Sequence, residues 1–216
     1  MKEYSVILFD LDGTLTDPAA GLVEGFLYAF RKLGIDAGDR ASLTRFIGPP
    51  LFEQWQRDFG FTYEETENAI LLFREYYNIY GWWDNRVYEG IPEMLAALRA
   101  RGKRLAVATS KPEDTAHKVL SLFGLKGYFD FIGGADGHKT RDKKHEVLEY
   151  TLRALGSPGR EECILVGDRV FDAEGARRVG IDSLGVRWGH GTEEEINSSP
   201  FTYVARTPSE VLEIIK

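Results

Sequence analysis

The sequence predicts an α/β protein, a doubly wound and mostly parallel sheet with an inserted all-helical cap. Three observations carry that expectation. The apolar run Val6-Ile-Leu-Phe9 reads as a strand buried on both faces. From residue 91 onward, short apolar strands alternate with helical stretches, the pattern of βαβ units around a parallel sheet. Between these parts the periodicity is helical, so residues 18–87 read as an insertion that leaves and rejoins the sheet domain just beyond the first strand. The expected boundaries are therefore 1–17 with 88–216 for the sheet domain and 18–87 for the cap. A chain of 216 residues has room for such an arrangement.

After the first strand, Asp17-Pro18 looks like a helix start, and Leu22, Val23, Phe26, Leu27, Phe30 and Leu33 follow at helical spacing until Gly34. Further helices are expected near 51–59 and 63–80. Ile91 to Arg101 reads as a helix stopped by Gly102, and Arg104 to Thr109 as a strand. Pro112 opens a helix that Gly124 closes. Phe129 to Ile132 is the next expected strand, Asp142 to Leu155 a helix, Cys163 to Val166 a strand and Asp172 to Val179 a short helix. Residues 181–186 and 202–204 read as late strands, and Thr207-Pro-Ser-Glu210 as a capping box for the last helix.

The net charge of −7 sets the chain against nonspecific binding to nucleic acid or anionic membranes, because both are polyanions. A phosphorylated substrate would need local cations. With one cysteine, Cys163, inside the apolar run Cys163-Ile-Leu-Val166, neither an internal disulfide nor a cysteine metal cluster can form. No secretory leader and no run of eighteen apolar residues is visible, so a cytoplasmic protein, monomer or homodimer, is expected. The four histidines, at 117, 138, 145 and 190, show no metal-binding spacing.

Four polar clusters fall at or near the carboxyl ends of expected strands: Asp10 with Asp12, Thr109 with Ser110, the region of Lys143 and Lys144, and Asp168 with Asp172. In a parallel sheet those ends share one edge, where ligands bind. On an extended strand Asp10 and Asp12 would point to opposite faces, so sharing a site requires a bend, which Gly13 supplies. A calcium loop would continue with oxygen ligands at alternate positions, but Leu11 and Leu15 interrupt it.

Asp10-Leu-Asp12-Gly13-Thr14, Ala106-Val-Ala-Thr109-Ser-Lys-Pro112, Lys144 and Gly167-Asp168-Arg-Val-Phe-Asp172 together resemble the motifs of the haloacid dehalogenase-like superfamily. The likeness is to its phosphoglycolate phosphatase-like branch, with a Rossmann-like core and a helical cap. The resemblance implies that Asp10 attacks phosphorus to form an aspartyl-phosphate, while Asp12 protonates the leaving alcohol and then deprotonates water. It implies magnesium as cofactor, held by Asp10, the backbone carbonyl of Asp12, Asp168 and Asp172. Thr109 and Ser110 would contact the phosphoryl group, and Lys144 would neutralise charge on Asp10 and the phosphate. Lys139, Arg141 and Lys143 lie beside Lys144, which is chosen because Lys144-His-Glu-Val-Leu best fits a lysine just ahead of an apolar helix.

Residues 46–88 hold thirteen of the twenty-seven aromatics, most of them expected to form the core of the cap. Phe46-Ile-Gly48-Pro49-Pro50-Leu51 resembles the substrate-facing cap loop of phosphoglycolate phosphatase-like proteins. Gly48 and Arg45, with Arg74, are the candidate substrate contacts there, against the alternative of solvated helix-face arginines. The implied substrate is a small phosphorylated metabolite such as phosphoglycolate. A nucleoside monophosphate, as in a 5′-nucleotidase, and the chemistry of a phosphomutase remain open. A dehalogenase has no use for Asp12 or a metal, a phosphonate hydrolase would want a cap lysine in place of Asp12, and a non-enzymatic scaffold predicts damaged motifs.

Overall fold

The structure, a computed structural model, describes residues 2–48, 51–136 and 140–216. The chain runs β1 (Val6–Phe9), β2 (Thr16–Asp17), α1 (Ala19–Leu33), α2 (Leu51–Phe59), α3 (Tyr63–Tyr76) and β3 (Arg86–Val87). It continues through α4 (Ile91–Ala100), β4 (Arg104–Pro112), α5 (Glu113–Leu122), β5 (Phe131–Ala135), α6 (Lys144–Ala154) and β6 (Cys163–Gly167). The last elements are α7 (Val170–Val179), β7 (Asp182–Val186), α8 (Glu193–Ser198), β8 (Tyr203–Ala205) and α9 (Pro208–Ile214). Two compact units result: 1–16 with 87–216, and 17–86.

In the first unit, six strands pair in the order β5-β4-β1-β6-β7-β8, with every recorded neighbour parallel. The chain builds outward from β1 on one side through β4 and β5, then on the other through β6, β7 and β8. Strand order therefore reverses around β1, and such a reversal opens a crevice at the carboxyl ends. Alternation sends Val6, Leu8, Ala106, Ala108, Cys163 and Leu165 to one face, where Val147, Leu148, Leu152, Ala176 and Val179 cover them. Ile7, Phe9, Leu105, Val107, Ile164 and Val166, on the other face, are also fully buried. That double burial explains the unbroken apolar runs in the sequence.

Several boundaries differ from the expected ones. Strand β4 runs on to Pro112, with a shift of register against β5 between Ala108 and Pro112. Strand β5 starts at Phe131 because the Asp130 carboxylate accepts from the Leu105 amide, 3.1 Å away, and it continues through Gly133 and Gly134. At the last helix, Thr207 Oγ1 accepts from the Glu210 amide, but Glu210 Oε2 accepts from the amide of Arg206, not from Thr207. Helix α8, capped by Thr192, has no counterpart in the sequence reading because its six residues carry one buried apolar side chain, Ile196.

The second unit packs α1 against α3 around Phe26, Phe30, Phe46, Trp55 and Phe73. Phe26 alone meets the rings of Phe46, Trp55 and Phe73, with centroids 5.1–5.9 Å apart. Thr62 and Glu65 form a reciprocal capping box at the start of α3. The stretch expected as one helix over 63–80 changes at Tyr77 into a wider π turn ending at Gly81. That turn sets the Gly81 carbonyl so close to Gly21 that a Cβ there would overlap it. No helix among the described residues is long and apolar enough to cross a membrane.

Candidate active site

Asp10 follows β1 directly, anchored by its amide donating to the Val166 carbonyl at 2.9 Å. The chain then turns at Gly13, whose φ of 85° lies in the left-handed region. A Cβ at Gly13 would overlap the Asp168 carboxylate, so the residue has two reasons to be glycine. One is backbone conformation, and the other is the close approach of a loop at the end of another strand.

Strand β6 delivers Asp168, and the first turn of α7 delivers Asp172. Asp10, Asp168 and Asp172 each place a carboxylate oxygen within 4.8 Å of the others, and all three are buried. Asp168 Oδ1 accepts from the Thr14 hydroxyl at 3.3 Å and Oδ2 from the His190 amide at 2.8 Å. Asp172 Oδ2 caps α7 by accepting from the Arg169 amide at 3.0 Å. Burial first, and then the negative charges of Asp172 and Asp10, push the Asp168 carboxyl up to about 7. Asp172 is raised for the same first reason, although Lys144 opposes the shift.

Lys144 opens α6 and points into this cluster. Its Nζ stands 2.7 Å from Asp10 Oδ1 and 2.8 Å from Asp172 Oδ1, and donates to the Ala108 carbonyl at 3.0 Å. Burial alone would push its pKa down, but the two carboxylates outweigh that and hold it above the ordinary value. Lys143 is exposed, while Arg141 faces Glu113 and the Gly134 carbonyl. Lys139 and His138 lie outside the described residues, as do Pro49 and Pro50.

Asp12 stands apart from the three converging carboxylates. Its oxygens face Lys111 Nζ at 2.7 and 3.0 Å. The sequence reading passed over Lys111, though a usable signal existed. Residues 109 and 111 lie two apart on one strand, so a hydroxyl and an ammonium leave its end on the same side. Thr109 is buried and its Oγ1 accepts from the Lys111 amide at 3.2 Å, while Ser110 is half-buried.

A second feature the sequence reading missed is the loop after β7. Trp188 Nε1 donates to the Thr14 carbonyl at 3.0 Å, and a Cβ at Gly189 would overlap both the Gly13 carbonyl and Asp168. Glu195 Oε1, from α8, accepts from the Val170 amide and from Arg169 Nε, each at 2.9 Å. The segment 188–195 thus ties the turn at Gly13 to the Asp168 loop. Its available signal was Gly189-His-Gly191, separated by two residues from the end of a strand at the sheet's carboxyl edge.

Arg45 and Gly48 belong to the second unit. Arg45 is exposed, faces the Phe46 ring at 4.8 Å and lies 3.9 Å from Asp58. Gly48 has a φ of 100°, which favours glycine. Arg74 is exposed.

Three carboxylates with an ammonium among them make a site for a hard cation and an anionic ligand. Residues 7–186 match the family described as haloacid dehalogenase-like hydrolase. A protein of Pseudomonas aeruginosa named 5′-nucleotidase is 40% identical over 200 residues, 93% of this chain and 90% of that one. A Mycobacterium tuberculosis protein named tyrosine-protein kinase PtkA is 41% identical over 92% of this chain and 67% of its own length. Among solved structures, a haloacid dehalogenase-like family hydrolase from Streptococcus pneumoniae superposes with a TM-score of 0.90 at 29% identity, covering 98% of both chains.

Proposed function

The chain belongs to the haloacid dehalogenase-like hydrolases and is a phosphoric monoester hydrolase, and we propose that it uses magnesium and an aspartyl-phosphate on Asp10 to hydrolyse a small phosphorylated metabolite. The observation that carries this reading is the convergence of the buried Asp10, Asp168 and Asp172 carboxylates on one point. Four carboxylates, counting Asp12, stand against the ammonium groups of Lys111 and Lys144, and Asp168 is held raised first by burial and then by the charges of Asp172 and Asp10. An all-oxygen donor set suits magnesium, with Asp10, Asp168, Asp172 and the Asp12 carbonyl as the holders. When bound, the ion supplies electrostatic relief between an attacking carboxylate and a phosphate dianion.

The rest falls to the chain's own side chains. One Asp10 oxygen is held by Lys144, and the other attacks phosphorus as the ester oxygen departs. Asp12 gives its proton to that departing oxygen, then removes a proton from the water that cleaves the acyl phosphate. Thr109 and Ser110 donate to the phosphoryl oxygens from the end of β4. Arg45 and Gly48 are the proposed contacts for the rest of the substrate. We place the enzyme in the cytoplasm, as monomer or homodimer.

The relative named 5′-nucleotidase gives the nucleoside monophosphate reading its support, beside phosphoglycolate. A phosphoryl group captured on Asp10 can also pass to a hydroxyl other than water, the phosphomutase outcome, so acceptor partitioning belongs in the test. The test is hydrolysis of nitrophenyl phosphate with magnesium or chelator, followed by kcat/KM across phosphoglycolate, nucleoside monophosphates and sugar phosphates. Activity should need magnesium and vanish in Asp10→Asn. Hydrolysis surviving in that variant would overturn the proposal.

A further inference from the structure

We infer that Lys111 is a positioning residue for Asp12 and, through it, for proton transfer to the leaving oxygen. The inference rests on the acid–base role proposed for Asp12 and concerns Lys111, which lies within the Ala106–Pro112 stretch but to which the resemblance assigned no role. The Lys111 ammonium lies 2.7 and 3.0 Å from the two oxygens of Asp12, with side-chain exposures of 3% and 15%. Two lysines thus divide three of the four carboxylates: Lys144 faces Asp10 and Asp172, and Lys111 faces Asp12.

The fold holds the backbone end of Lys111 firmly. The residue sits in the stretch of β4 where register with β5 shifts, and its amide donates to Thr109 Oγ1 at 3.2 Å. Its carbonyl packs against Gly134, where a Cβ would stand 2.6 Å from it. With its side chain 3% exposed, Lys111 is confined by its surroundings, whereas an unpaired Asp side chain has three staggered wells to choose from. Contact with both oxygens selects one of them. A carboxylate has about four lone-pair sites, so this contact still leaves sites for the leaving oxygen and then for water.

The step that depends on this aim balances as follows. The Asp12 O–H bond breaks and its proton goes to the ester oxygen, which keeps the electron pair of its broken bond to phosphorus. In the second half, Asp12 takes a proton from water as the water oxygen bonds to phosphorus and the bond to Asp10 breaks. The first half matters most for a poor leaving group.

The test compares Lys111→Met and Lys111→Arg with the parent on nitrophenyl phosphate and on glycerol 3-phosphate. Lys111→Met should lower kcat on the alkyl ester about 10–100-fold, change it less than about 3-fold on the aryl ester and leave KM within about 3-fold. Lys111→Arg should recover part of the loss. In an Asp12→Asn background, Lys111→Met should cost almost nothing more on the alkyl ester, because the two residues act as one unit. Equal losses on both esters, or additive losses in the double variant, would overturn the inference.

Crystal structures of Lys111→Met, or of Lys111→Gln where Met does not fold, give a readout independent of activity. The Asp12 carboxylate should leave its position or occupy two, and an unmoved carboxylate refutes the idea. Should the parent enzyme hydrolyse neither ester, the functional reading falls while this arm still decides whether Lys111 positions Asp12.

Discussion

Replacing Asp168 by Asn should stabilise the cation-free protein at alkaline pH and remove its response to magnesium. Unfolded, this carboxyl ionises near 3.9, whereas in the folded chain burial, followed by Asp172 and Asp10, holds it up to about 7. Between those values the folded state keeps a proton that the unfolded chain has lost, so stability falls as pH rises through the window. The penalty is absent below about pH 4 and complete above about pH 7. Roughly three pH units set a ceiling of about 4 kcal/mol, and sharing of protons with Asp172 reduces this to about 2 kcal/mol.

The hydrogen bonds survive the change, since the Asn oxygen can accept from the His190 amide and its NH2 can donate to the freely turning Thr14 hydroxyl. At about 2–4 °C per kcal/mol for a chain of this length, the variant should melt about 4–8 °C above the parent in chelator at pH 8, and level with it at pH 4. Magnesium at a hundred times its Kd should add about 2.7 kcal/mol to the parent and far less to the variant. Scanning calorimetry at both pH values, with magnesium and with chelator, reads all four conditions. A variant no more stable than the parent in chelator at pH 8, or an equal magnesium shift in both proteins, would refute the reasoning.

Gly13→Ala forces a side chain into left-handed backbone and into the Asp168 carboxylate, and should cost at least about 2 kcal/mol while weakening the magnesium-induced rise in Tm. A Tm and magnesium response equal to the parent's would count against the packing described for that turn. Phe26→Ala empties the centre of the aromatic cluster in the inserted unit and should lose about 3–5 kcal/mol by urea denaturation. Asp182, although burial pushes it the other way, is held below the usual carboxylate range by hydrogen bonds from Lys2 and Tyr4, each at 2.6 Å. Its contribution is present above about pH 4 and is lost as pH falls through the lowered value. Asp182→Asn should therefore melt below the parent at pH 6, with the gap closing by pH 2, and a gap of constant size would contradict the assignment.

Strand β1, the alternating elements after residue 91 and the helical insertion were legible because each rests on local periodicity within one segment. Asp10 and Asp168 were legible for a related reason: a polar residue directly after an apolar run marks a strand's carboxyl end, and a parallel sheet gathers such ends along one edge. Lys144, chosen over Lys139, Arg141 and Lys143 by its position before an apolar helix, is the one of the described candidates whose ammonium meets Asp10. Thr62 and Glu65 close a full capping box, whereas Glu210 reaches past Thr207 to Arg206. Residue types alone do not separate those two cases, because the choice depends on where the preceding chain arrives.

The sequence by itself showed the alternation of strands and helices, apart from α8, and the edge where acidic and basic groups would assemble, since both follow from the spacing of neighbours along the chain. The tertiary structure decided which cation answers which carboxylate. Lys111 meets Asp12 from the stretch of β4 where register with β5 shifts, and Asp168 is fixed by the Trp188–Gly191 segment that follows the neighbouring strand β7. Both are distances between segments remote in the chain, set by how strands slide and loops pack, and a list of residues does not contain them.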